Sequence, residues 1–117
     1  MGTDRAEMIA IATRYLDALV SHDGSEVPLA PGCRRTELGT DTGSSGDAIR
    51  THLATQIMHG ITGYRDVRWF VEGDDVIAFY VLDAYGTTVD IAERFRIHDG
   101  LIHEIEAIFT IKGSPAR

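Results

Sequence analysis

The stretch Glu93-Arg-Phe-Arg-Ile-His-Asp-Gly-Leu-Ile-His-Glu-Ile-Glu106 holds two alternating runs around a short turn. Phe95 and Ile97 alternate with charged side chains before His98-Asp99-Gly100, and Ile105 alternates with Glu104 and Glu106 after it. An Asp-Gly pair between two such runs predicts a tight β-hairpin, because the turn that matches strand twist needs positive φ at its central positions. Worked outward, the first run extends back through Val89 and Ile91, with Glu93 as a carboxyl among apolar positions. The second extends over 101–111, with Ile105, Ala107 and Phe109 on one face and Glu104 and Glu106 on the other.

Further upstream, 76–84 is almost wholly apolar and rich in β-branched and aromatic residues, which predicts a well-buried strand. Gly73-Asp-Asp75 is a turn, and before it 65–72 carries Val67, Trp69 and Val71 at alternate positions. These four strands, joined mostly by tight turns, read as a meander.

The first half has a different period. Met8, Ile11, Ala12, Tyr15, Leu16, Leu19 and Val20 recur at three- and four-residue steps, an amphipathic helix over about 4–22 with Asp4 and Glu7 as a capping box. Pro28 and Pro31 make 25–32 a loop, a short strand follows over 33–38, and the glycines and serines of 39–46 make a second loop. Ser45 or Asp47 caps a second helix that carries Ile49, Leu53 and Ile57 along one side and ends at Gly60. Helices early and antiparallel strands late predict an α+β domain. A curved antiparallel sheet covered on one face by the N-terminal helices would enclose a conical pocket.

The chain has 117 residues, the length of one domain, and is read as a single domain over 1–117. It carries 18 Asp+Glu against 11 Lys+Arg, a formal charge of −7, so phosphate backbones and anionic membranes are poor partners. The apolar runs are too short to span a bilayer and the N-terminus lacks a secretory pattern, so a cytoplasmic location is expected. Cys33, the one cysteine, reads as a small buried residue. His52 and His59 lie two helical turns apart, not one, and no His/Cys cluster or phosphate loop is seen, so neither metal nor cofactor is expected.

Four segments together resemble the nuclear transport factor 2-like superfamily, which includes ketosteroid isomerases, SnoaL-like polyketide cyclases and limonene epoxide hydrolases. Thr13-Arg-Tyr-Leu-Asp-Ala-Leu-Val-Ser-His-Asp23 resembles its first helix, and Leu29-Ala-Pro-Gly-Cys-Arg-Arg-Thr-Glu37 the entry to its first strand. Gly46-Asp-Ala-Ile49 resembles the start of its later helix, and 93–106 its last hairpin. Thr36-Glu-Leu-Gly39 with Ile105-Glu106 is also similar to a SnoaL-like subgroup with a T-E-N-G motif. The similarity covers about 7–109 and implies a cone-shaped α+β domain.

The resemblance also implies site residues. Tyr15 lies where the isomerases keep an oxyanion tyrosine, Glu37 where they keep the proton-moving carboxylate, and Glu93 where a protonated carboxyl assists the tyrosine. Both acids are Glu where the isomerases have Asp. Whether Thr36 or Glu37 faces the pocket is a one-residue register question, and one residue flips the face. Trp69, His103 and Phe109 are candidate substrate-binding residues; His103 alternates with Ile105, Ala107 and Phe109, or else is a solvated hairpin residue.

The function expected is cofactor-free acid–base chemistry, an isomerase or cyclase shifting a proton beside a carbonyl of an apolar small molecule. Two alternatives stand beside it. One is an epoxide hydrolase using Asp83, Arg94 and Asp90; the other is a non-catalytic binding or dimerisation module. A homodimer is expected, with the open sheet face carrying Ile102 and Ile108 as the contact.

Overall fold

A computed structural model describes residues 4–112. The element order is α1 (Arg5–Ser21), β1 (Leu29–Glu37), β2 (Thr40–Gly43), α2 (Gly46–Leu53), a 3₁₀ turn (Gln56–Gly60), β3 (Ile61–Glu72), β4 (Asp75–Ala84), β5 (Thr87–His98) and β6 (Leu101–Ile111). The six strands form one sheet in the order β2-β1-β6-β5-β4-β3. The last four are the expected antiparallel meander. β1 pairs with β6 in parallel, so the sheet is antiparallel at every other junction. A cone-like α+β architecture results, with α1 against the meander and α2 against β1 and β2.

Local chemistry sets these elements. The Asp4 side chain accepts from the Glu7 backbone N–H at 2.8 Å and caps α1, whose Met8, Ala12, Tyr15, Leu16 and Leu19 are buried. At the last hairpin Asp99 and Gly100 have φ of 55° and 74°, the pair of positive values such a tight turn requires. Gly46 opens α2 against β1, where a Cβ would come within 2.6 Å of the Ala30 carbonyl oxygen; the close approach needs glycine.

The helix expected to run to Gly60 stops at Leu53. Thr55 donates its hydroxyl to the His52 carbonyl at 2.6 Å, competing for a helix acceptor, and its backbone is extended. Ile57 therefore lies outside the buried side of α2 and is exposed, whereas Ile49 and Leu53 are fully buried. The two loops read on either side of Cys33 are each half strand. β1 starts at Leu29, with Pro31 in the gap between its two paired stretches with β6, where a missing N–H costs no ladder bond. Gly39 to Gly46 contains β2, folded back on β1 through a turn at Leu38 and Gly39.

A bulge in β6 corrects two further expectations. Ile97 pairs with Ile102 and Arg96 with Glu104, so His103 is an extra residue without a direct partner. The inward face thus shifts by one position: Ile102 is fully buried rather than on the open sheet face, and His103 is displaced from the row of Ile105, Ala107 and Phe109. Ile108 remains on the open face, with Phe70 and Phe79.

Candidate functional site

Between α1, α2 and the concave sheet lies a cavity of about 220 Å³ whose walls are mainly apolar. Tyr15 and Leu19 reach it from α1, His52 from α2, Glu37 from β1, Tyr80 and Leu82 from β4, Ile91 and Glu93 from β5, and Ala107 and Phe109 from β6. The sheet register makes room for the buried acid. Glu93 is flanked by Ala78 on β4 and Ala107 on β6, two small side chains that leave the carboxyl space.

Glu93 is 3% exposed and accepts the Tyr80 hydroxyl proton at Oε1, 2.6 Å away. Burial pushes its pKa up to about 7, with Glu37 adding to the rise and Tyr80 and Arg35 opposing it. A carboxyl whose carbonyl oxygen already accepts from Tyr80 can, when protonated, offer its O–H elsewhere. Burial and Glu93 also raise the Tyr80 and Tyr15 hydroxyls well above the ordinary phenol range, so both remain donors at neutral pH.

Tyr15, 1% exposed, stacks edge-on against Phe95 and accepts from Arg35 Nη1 at 3.1 Å. Because the guanidinium donates to the phenol oxygen, the phenol keeps its own proton to give. Arg35 is completely buried. Its remaining donors reach Thr42 Oγ1 at 3.0 Å, the Thr42 carbonyl at 3.0 Å and His52 Nδ1 at 2.7 Å, and Glu37 lies 4.0 Å from Nε. Burial alone would lower the Arg35 pKa, but Tyr15, Glu37 and Glu93 more than offset it.

The register question on β1 is answered by strand alternation. Arg35 and Glu37 share the inner face, and Thr36 faces the open side beside Arg94 and Glu106. Tyr15, Glu37, Glu93 and Phe109 line the same cavity. Trp69 and His103 do not. Trp69 pairs with Ala78, beyond Tyr80 toward the β3–β4 turn, and packs on the core there. His103, displaced by the bulge, stacks on His98 at 3.7 Å at the far end of β6. Asp83, Arg94 and Asp90 do not meet either: Asp83 pairs with Arg65, Asp90 with Lys112, and Arg94 with Asp75, Glu104 and Glu106.

His52, Tyr80 and Tyr85 are polar cavity residues that sequence reading missed, as is Arg35, buried behind the cavity wall. Arg35 reads as half of a charged Arg34-Arg35 pair, and Tyr80 sits in an apolar run like any core aromatic. Among the described residues no group of three or more His, Cys, Asp or Glu is placed to hold a metal ion. No helix among them is long and apolar enough to cross a membrane.

A six-stranded, mostly antiparallel curved sheet wrapped on helices around a polar-tipped cavity is the nuclear transport factor 2-like fold. The chain belongs to the family described as "Domain of unknown function (DUF8021)", which matches residues 2–109. Solved structures share the fold at low identity. A candidate ketosteroid isomerase from Kribbella flavida is 16% identical with a TM-score of 0.75, over 98% of this chain and 86% of that one. A candidate SnoaL-like polyketide cyclase from Jannaschia is 18% identical, TM-score 0.69, over 92% and 91%. An LEH-like epoxide hydrolase from M. tuberculosis is 19% identical, TM-score 0.68, over 90% and 84%. Comparison with curated proteins finds no match.

Proposed function

We propose that the cavity performs cofactor-independent acid–base chemistry on a small apolar carbonyl compound, moving a proton at the carbon next to the carbonyl. The observation that carries this reading is the unequal placement of two acids around one cavity. Glu93 is deeply buried, hydrogen-bonded by Tyr80 and shifted toward its neutral form. Glu37 is half-buried near the Arg35 guanidinium. Environments that push paired acids apart are how a base and a donor are assigned in one site.

In this reading the Glu37 carboxylate takes the α-proton, leaving an enolate whose oxygen accepts from Tyr15 and the neutral Glu93 carboxyl. The Glu37 acid then returns the proton to the conjugated carbon, which completes an isomerisation; attack of the same carbanion on a second carbonyl would be a cyclisation. The cavity is smaller than the roughly 300–1,000 Å³ usual for drug-sized ligands, which favours substrates of one or two rings. The test is cyclohex-3-en-1-one, followed by ultraviolet absorbance for the conjugated product and by NMR in D₂O for α-proton exchange. Turnover above buffer that is lost in Glu37→Gln supports the reading; background rates overturn it.

One observation favours a second reading. Arg35 lies 4.0 Å from Glu37 and acts electrostatically on Glu93, an acid–arginine–acid set like that which an epoxide hydrolase arranges around its water. Hydrolysis of cyclohexene oxide would favour it over the isomerase.

We also propose a homodimer through the open sheet face. Phe70, Phe79 and Ile108 are exposed there, and the face curves into a groove of about 560 Å³ lined by Arg68, Phe79 and Ile108. Arg94 is paired with Glu104 and Glu106 and Arg96 with Asp75, so the same patch carries both charge signs and can complement itself about a two-fold axis. A cytoplasmic location fits the acidic charge of −7 and the single unpaired cysteine.

A further inference from the structure

We propose that His52 is a further functional group of this cavity: a neutral imidazole, its proton held on Nε2 by Arg35, that donates to an oxygen of the bound molecule. The inference rests on the reading that the cavity takes an oxygen-bearing apolar ligand, and it adds a donor that no sequence signal marked.

The tautomer follows from hydrogen-bond chemistry. Arg35 Nη2 lies 2.7 Å from His52 Nδ1. A guanidinium has donors only, so Nδ1 must supply a lone pair and cannot carry hydrogen. A neutral ring then has its one proton on Nε2. An imidazolium would place a second N–H against the guanidinium, so this contact excludes it.

Arg35 is a positioning residue here, and it cannot easily swing away. Its Nε and Nη2 are bonded to the hydroxyl and carbonyl of Thr42, and its Nη1 to Tyr15. The charges that bear on the ring agree with the geometry. Burial and the Arg35 cation lower the His52 pKa, and Glu37, on the same strand as Arg35, opposes them.

The other ring nitrogen is available. Every buried side-chain nitrogen and oxygen among the described residues has a partner, and none of those residues is hydrogen-bonded to Nε2. Nε2 is therefore accessible, on a ring that lines the cavity. An N–H donor at such a wall, backed by a buried cation that cannot itself reach the ligand, suits an acceptor oxygen such as a carbonyl, enol or phenol. It disfavours an ammonium, which has no lone pair to offer.

Long-range proton–nitrogen NMR on the uniformly ¹⁵N-labelled protein at pH 7 tests the tautomer, with and without 2-naphthol as the probe. The expected result is a neutral His52 with hydrogen on Nε2, and an Nε2 resonance that moves when 2-naphthol is added. Binding should weaken about tenfold in His52→Leu and stay within about threefold of wild type in His52→Gln, which keeps an N–H donor. A proton on Nδ1, or an imidazolium at pH 7, would overturn the inference and leave the roles of Glu37 and Glu93 standing. Equal binding of 2-naphthol to wild type and His52→Leu would also overturn it, with the cavity still a binding site. Failure of 2-naphthol to bind wild type would overturn both this inference and the proposed ligand class.

Discussion

Tyr80 on β4 and Glu93 on β5 share a 2.6 Å hydrogen bond inside the sheet's concave face, the tyrosine donating to Oε1. The bond favours the ionised acid while burial favours the neutral one, and burial prevails, so the Glu93 pKa rises from 4.5 to about 7. Between those two values the folded protein binds a proton that the unfolded chain has released. Stability from this group is thus full below about pH 4.5 and is lost as pH rises through about 7. Thermal unfolding at steps across pH 4.5–8 should show wild type losing more stability than Glu93→Gln over that range. Tyr80→Phe should raise the Glu93 pKa further, read by carboxyl ¹³C titration; an unchanged or lower value would contradict the balance described.

The two acids should respond differently to amide replacement. Glu37→Gln removes the base and should lower turnover of cyclohex-3-en-1-one by about 10²-fold or more. Glu93→Gln keeps an N–H donor and should retain partial activity. Equal loss in the two variants, or full activity in Glu37→Gln, would reverse or remove the assigned roles. Turnover should also persist in excess chelator; loss that one divalent ion restores would show that a metal is required.

Arg35 organises three elements at once, through Tyr15 of α1, Thr42 of β2 and His52 of α2. Arg35→Leu strips the partners of several buried polar groups and should destabilise the fold by about 3–5 kcal/mol, measured by urea unfolding. Arg35→Lys should recover little of that, because a single ammonium cannot reproduce the planar fork. Wild-type-like stability in either variant would mean that the network contributes far less than its geometry implies.

Sedimentation at micromolar concentration should find a species near twice 12.8 kDa. Phe79→Lys combined with Ile108→Lys places charge on the open sheet face and should shift the protein to the monomer without lowering its melting temperature sharply. A wild-type monomer at these concentrations would exclude this interface as a stable dimer contact.

Local pattern was enough for the meander and for much of the helical half. The Asp99-Gly100 pair, the alternation through Val89, Ile91, Phe95 and Ile97, and the three- and four-residue steps of α1 depend on neighbours in sequence, so they are legible there. Glu93 stood out for the same reason, as a carboxyl in an apolar row. What the tertiary structure decided is everything that depends on parity and on distance across the sheet. One bulge residue, His103, reversed the faces expected of Ile102 and of His103 itself, and a bulge has no reliable mark in a single sequence. Alternation along β1, aligned against β6, put Arg35 and Glu37 inside and Thr36 outside. The network of Arg35, Tyr15, Thr42 and His52 joins residues 7 to 20 positions from the arginine, and Tyr80 reaches Glu93 from 13 positions away. None of these pairs is favoured by local propensity. They form because closing the helices over a curved sheet removes water from polar side chains, and each must then find its partner in another element.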